Sequence, residues 1–153
     1  MIRTKTRLRV CIILLAINLA FIWGNSLLPG EISGAFCNWV KDLIAPLLGW
    51  EEGGPQGGGL MRKIAHFTEF ACLGVCFRWF WGMLVTKRLR PFLYALAGAF
   101  FTACIDETSQ VFVPDRGPGI KDVALDTLGA LVGILILTWI HRRKAKVLED
   151  TKS

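Results

Sequence analysis

VALDTLGALVGILILTWIHRRKAK, residues 123–146, decides the class of this protein. Val123–His141 is an apolar run of about the 20 residues that a helix needs to cross a ~30 Å hydrocarbon core. Arg142, Arg143, Lys144 and Lys146 then follow without a gap. A basic block against the end of an apolar run marks the cytoplasmic end of a membrane helix. Working outward, the same pairing recurs. Leu8–Leu28 is preceded by Arg3, Lys5, Arg7 and Arg9. Ile64–Val85 and Pro91–Phe112 are joined by Lys87, Arg88 and Arg90. With Lys152, these flanks hold twelve of the 18 Lys and Arg residues, whereas ten of the 12 Asp and Glu residues lie in the opposite loops or the helix halves next to them. Three separate basic segments therefore agree on one orientation. The expectation is an all-α integral membrane protein of one domain over residues 1–153. It has four transmembrane helices, spanning about 8–28, 64–85, 91–112 and 123–141, and both termini are cytoplasmic.

Bulk composition agrees. Hydrophobic residues make up 53% of the 153, and the mean hydropathy is +0.47, too apolar for a soluble domain with a wetted surface. The net charge of +6 sits beside the apolar runs. Contact with anionic lipid headgroups explains it without nucleic acid. Four of the five cysteines, Cys11, Cys72, Cys76 and Cys104, fall inside the spans and read as small apolar residues; Cys37 falls in the first outer loop. The first apolar run contains Asn18 and ends without an A-x-A site, so it reads as a retained span rather than a cleaved leader.

Between the first two spans, Ile32, Phe36, Trp39, Val40, Leu43, Ile44, Leu47 and Leu48 recur at helical spacing. They predict an amphipathic helix over residues 32–49 at the outer interface, with a plain apolar loop as the alternative. Glu51–Gly59 reads as a flexible tether; without a GK[ST] ending its glycines make no phosphate loop. Arg78 is near enough to the inner end of its span to snorkel. Gly129 and Gly133 form a close-packing face, expected to be used within the bundle. The tail after His141 is expected to be mobile.

The functional signal is polar. His66 and Glu69 lie in the second span, Asp106, Glu107 and Gln110 at the end of the third, and Asp122 and Asp126 at the start of the fourth. At 1.5 Å per residue, Glu69, Asp106 and Asp126 sit roughly 6–10 Å inside the outer ends of their helices. A charge there costs on the order of 2–3 kcal/mol on an isolated helix, so these groups must face one another, a basic partner or water. They share helical stripes: Arg62, His66 and Glu69; Thr102, Asp106 and Gln110; Asp122, Asp126, Gly129 and Gly133. The expected result is one polar pocket opening to the outer face. Arg62, Lys63, Arg116 and Lys121 would stand as counter-charges at its mouth. A buried cluster that only sets helix register is the structural alternative.

The ordered motifs Arg62-Lys63-x-x-His66-Phe67-x-Glu69-Phe70, Asp106-Glu107-x-x-Gln110-x-Phe112-x-Pro114-x-Arg116 and Asp122-x-x-x-Asp126-x-x-Gly129 resemble those of VanZ-like membrane proteins. Asn25-Ser26-Leu27-x-Pro29 is similar to that family's opening motif. The resemblance runs from about Asn18 to Ile140. It implies a cell-envelope context and an association with glycopeptide (teicoplanin-like) resistance; it supplies no reaction.

Three functions stay open. In the first, a pocket of Arg62, Lys63, His66, Glu69, Asp106, Glu107, Gln110, Arg116, Asp122 and Asp126 binds a lipid-linked envelope precursor or a lipoglycopeptide. In the second, the protein is an enzyme acting on such a headgroup. His66 and Glu69 would be base and orienting partner, Asp106 or Asp126 the acid, and a divalent cation on Glu69, Asp106 and Asp126 would account for the excess of carboxylates. No hydrolase motif or activated nucleophile supports the second. The third is a small ion or proton-coupled transporter, weakened by four spans without visible repeats.

Overall fold

The computed structural model describes residues 2–32, 34, 35, 38, 39, 42, 57–87, 89–114, 116, 117 and 119–151. Among them stand four long α-helices: α1 (Ile2–Ser26), α2 (Gly57–Leu84), α3 (Arg90–Ser109) and α4 (Ile120–Asp150). A 3-10 turn, Gln110–Phe112, extends α3. Two stretches are long and apolar enough to cross a membrane: Thr4–Ser26 in α1, mean hydropathy 1.9, and Ile120–Val147 in α4, mean hydropathy 2.1. The middle helices are 28 and 20 residues long, so length is sufficient in both. Their hydropathy is diluted by Glu69 and Arg78 in α2 and by Asp106 and Glu107 in α3.

The radial pattern is the inverse of a soluble bundle. Ile13, Ile17 and Phe21 on α1, Phe101 and Ile105 on α3, and Leu128 and Leu135 on α4 are all at least half exposed. Fully buried positions include small ones, Ala95, Ala99, Ala103 and Ala130, and polar ones, Asp106, Gln110 and Asp126. Surface this continuously apolar requires a non-aqueous neighbour.

Small residues also set the tightest helix contact, that of α2 with α4. A Cβ on Gly129 would meet the carbonyl oxygen of Phe67, one on Gly133 that of Ala71, and one on Gly74 that of Ala130. The glycines thus seat each backbone against the other, as membrane helices pack when there is no water to drive them together. Phe70, Leu73, Ala99, Ala103 and Ala130 then fill the centre with Cys11, Leu15 and Ile22 from α1.

Helix boundaries follow local chemistry. Pro91 opens α3, where a missing N–H costs nothing. At the end of α1, Leu27 and Leu28 donate back to Trp23 and Asn25 before Pro29 stops the helix. Two expectations change. The tail after His141 is not a loose segment: α4 continues to Asp150, through a stretch of good helix formers, and the Arg143 guanidinium lies 4.0 Å over the Trp139 ring. The tether is shorter than expected, since Gly57–Gly59 belong to α2. Residues 30–32 are helical, but most of the interfacial helix expected over 32–49, with Cys37, lies outside the described residues. Arg78 turns inward: its Nε donates to Thr138 Oγ1 on α4 at 3.0 Å.

Candidate functional site

The C-terminal end of α1, the first turns of α2, the last turn of α3 and the first turns of α4 meet at one end of the bundle. Hydrogen bonds between them fix this arrangement. Asn25 Nδ2 on α1 donates to Glu69 Oε1 on α2 at 3.1 Å. Ser26 Oγ on α1 donates to Asp106 Oδ2 on α3 at 2.9 Å. The Gln110 amide, in the 3-10 turn, donates to Ser26 Oγ and to Glu107 Oε1, both at 3.0 Å, and lies 3.4 Å from Asp106 Oδ2. Glu107 Oε2 accepts the Gly119 backbone N–H at 2.9 Å, which ties the loop before α4 to the end of α3. Lys5, Arg7 and Arg9 lie in the first turns of α1, Lys87 between α2 and α3, Arg90 at the start of α3, and Arg142, Arg143 and Lys144 beyond the apolar part of α4.

At the centre of this network stands His66. Its Nδ1 is 3.9 Å from Asp106 Oδ2 and 3.9 Å from Asp126 Oδ2, so one side chain from α2 touches an acid on α3 and an acid on α4. The three side chains are 8%, 0% and 1% exposed. Several of their atoms have no hydrogen-bond partner among the described residues: His66 Nδ1, Asp106 Oδ1 and both carboxylate oxygens of Asp126, joined by Glu69 Oε2. Buried polar atoms are nearly always paired, because leaving one unpaired costs about 1–3 kcal/mol and more for a charged group. Five such atoms lie together here, and the bonds from Asn25, Ser26 and Gln110 satisfy only part of the cluster.

The cluster adjoins a cleft lined by Arg62, Lys63, His66, Glu107, Asp122, Leu125 and Asp126. Its volume is about 10 Å³, room for one water-sized occupant. Arg62 and Asp122 are half-buried at its rim, and Lys63 and Lys121 are exposed.

Of the residues that the sequence singled out, His66, Glu69, Asp106, Glu107, Gln110 and Asp126 come together in the interior, and Arg62, Lys63 and Asp122 form the rim. Arg116 also reaches this end of the bundle, close enough to His66, Glu69 and Asp106 to act on them electrostatically. Its guanidinium donates to the carbonyl oxygens of Ser26, at 3.0 Å, and Asn25, at 3.2 Å, which fastens the loop after α3 over the C-terminal end of α1. Both carbonyls lie in the last turn of α1, where helical donors run out; Asn25 also accepts the Leu28 N–H, and a guanidinium fork reaches the two oxygens at once. The metal grouping differs. His66, Asp106 and Asp126 each offer a ligand atom within 4.8 Å of the others, whereas the sequence pointed to Glu69 with the two aspartates. Glu69 is drawn aside by Asn25.

Asn25 and Ser26 are the residues that reading by charge overlooked. Both make direct bonds to the buried acids. Their signal was present in the opening motif, but a short polar pair before Pro29 reads first as a helix stop.

Compared with known proteins, the chain matches the sequence model of the family described as VanZ/LLP1 over residues 8–141. The same comparison found no match among curated proteins. It found none among solved structures.

Proposed function

We propose that this chain, which belongs to the VanZ/LLP1 family, is a four-span membrane protein that binds a polar envelope headgroup at an outward-facing pocket. The 1–153 chain is one membrane domain with both termini cytoplasmic. The headgroup is that of a lipid-linked wall precursor or a lipoglycopeptide, and binding it underlies an association with teicoplanin-like resistance. One observation carries this reading: acids and amides from α2, α3 and α4 converge behind a basic rim, with buried oxygens that the protein does not satisfy. The cleft is too small to swallow a headgroup. The sugar, amide or phosphate therefore lies against Arg62 and Lys63 and reaches inward with a single polar atom. Four spans are supported by the lipid-like faces of the middle helices, where Ile64, Leu84, Leu93 and Phe101 are exposed. The positions of the basic segments support the orientation.

Topology has its own test. A membrane-impermeant thiol reagent added to intact cells should label Cys37, and should miss a cysteine placed at Lys87. The opposite result, with Cys37 protected and the Lys87→Cys thiol labelled, would reverse the orientation.

A second reading, an enzyme acting on such a headgroup, is favoured by one feature. His66 Nδ1 stands 3.9 Å from each of two acids, close enough for a proton-transfer residue to engage them after a small side-chain shift. The binding reading ranks first because the hydroxyl that joins this cluster, that of Ser26, is engaged by its bonds with Asp106 and Gln110 rather than by His66.

Expression of the chain in a teicoplanin-sensitive host, against an empty vector, tests the function. A shift in sensitivity without modification of added lipid-linked precursor supports binding; a modified precursor supports the enzyme. Unchanged sensitivity, with the protein present in the membrane, removes the resistance association.

A further inference from the structure

We propose that His66, Asp106 and Asp126 hold one divalent first-row metal ion, Zn²⁺ or Mn²⁺, at the base of the cleft. The inference rests on reading this cluster as a working site, and it names the cofactor of that site.

The first ground is convergence. Three ligand atoms, one from each of α2, α3 and α4, lie within 4.8 Å of one another. An ion at about 2.0–2.2 Å from each ligand lets two ligands stand at most ~4.4 Å apart. The two His66–carboxylate distances, 3.9 Å each, already meet that limit, and side-chain shifts under ~1 Å close the rest. One imidazole nitrogen with two carboxylate oxygens is a donor set that suits Zn²⁺ or Mn²⁺.

A second, independent ground is the state of those atoms. Asp126 is 1% exposed, and neither of its oxygens has a hydrogen-bond partner among the described residues. Asp106 Oδ1 and His66 Nδ1 are in the same position. A helix-bracing cluster would pair these atoms. The bare Asp126 Oδ2 stands 3.9 Å from the bare His66 Nδ1, and Asp106 Oδ2, which Ser26 and Gln110 hold in place, stands 3.9 Å from the same nitrogen; a small cation suits that meeting of donors. The adjoining cleft, about 10 Å³, has room for an occupant of that size.

Charge balance agrees. Two carboxylates and a divalent cation sum to zero, the cheapest total in a low-dielectric bundle. Outer contacts are also in place: Ser26 and Gln110 hold Asp106 Oδ2 by its hydrogen bonds, which fixes the direction of that carboxylate. Three protein ligands leave further coordination positions open toward Arg62 and Lys63. A phosphate or carboxylate oxygen of a headgroup entering past this rim would complete the shell.

The test uses the full chain, purified in detergent, stripped with chelator and dialysed against Zn²⁺ or Mn²⁺. Metal analysis should find about one ion per chain, and the melting temperature should rise with metal. In His66→Ala and Asp126→Asn the affinity should fall about 100-fold or more, and the metal-dependent rise in melting temperature should vanish. Glu149→Gln, at the far end of α4, should match wild type. The wild-type melting shift needs no variant, so a misfolded substitution leaves the proposal testable. A folded wild-type chain that takes up neither ion, or equal uptake by Asp126→Asn, overturns it. A teicoplanin shift in a chain that binds no metal removes the metal alone. Stoichiometric metal without any shift removes the resistance reading alone.

Discussion

Cells expressing Asp126→Asn should carry wild-type amounts of folded protein in the membrane and lose all of the teicoplanin-sensitivity shift that the parent chain confers. The substitution is nearly isosteric and removes one charge. Asp126 accepts no hydrogen bond from the described residues, so no observed bond is broken. His66 Nδ1 stands 3.9 Å from Asp126 Oδ2, too far for a hydrogen bond. If the cluster served only to hold helices in register, removing one of several crowded acids would leave stability unchanged or improved, and the phenotype intact. If it binds a headgroup atom or a cation, the change removes the group that binds, and the phenotype falls with it. Glu69→Gln should behave similarly, though with a smaller loss, because Asn25 already engages one of its oxygens. Asp106→Asn is the less clean probe, since Ser26 and Gln110 both donate toward Asp106 Oδ2 and their bonds would have to rearrange. Membrane abundance, melting temperature and antibiotic sensitivity must be measured together across the three variants. Wild-type sensitivity shifts in all three would defeat the functional reading.

Gly133→Leu should show the largest stability effect in the chain. Even a single Cβ at this position runs into the carbonyl oxygen of Ala71, a backbone atom that cannot rotate away. The helices must separate, and with them the α2–α4 contact that aligns His66 with Asp126. Overpacking a tight contact costs about 1–3 kcal/mol, and a clash with backbone lies at or above the upper end. Membrane abundance and the detergent melting temperature should both fall sharply. Gly24→Ala is the matched control, since a Cβ there meets nothing within 4 Å. A Gly133→Leu protein that melts with wild type would show that α2 and α4 do not pack as described.

The polar stripes were legible because a helix repeats every 3.6 residues and because acids are expensive in an apolar run. Any reading that places Asp106, Asp126, His66 and Glu69 at one depth must bring their faces together. Which atoms then meet could not be read in that way. His66 rather than Glu69 became the shared neighbour of the two aspartates, because Asn25 draws Glu69 toward α1. The sequence places Asn25 44 positions before Glu69, and Ser26 80 before Asp106. No local pattern carries a pairing across such a separation. Arg116 likewise reads as one more cation until the end of α1 comes within its reach.

Determined by the chain alone, then, were its helical class, its membrane family and the set of residues that had to share one end of the bundle. Hydropathy, periodicity and motif order are properties of the chain before it folds, and they suffice for that much. The tertiary structure decided the rest: how closely α2 and α4 approach, which acids keep a partner and which are left bare, and how small the cleft between them is. Those depend on backbone-to-backbone distances set where Gly74, Gly129 and Gly133 meet the opposite helix, a contact that exists only after the helices have packed.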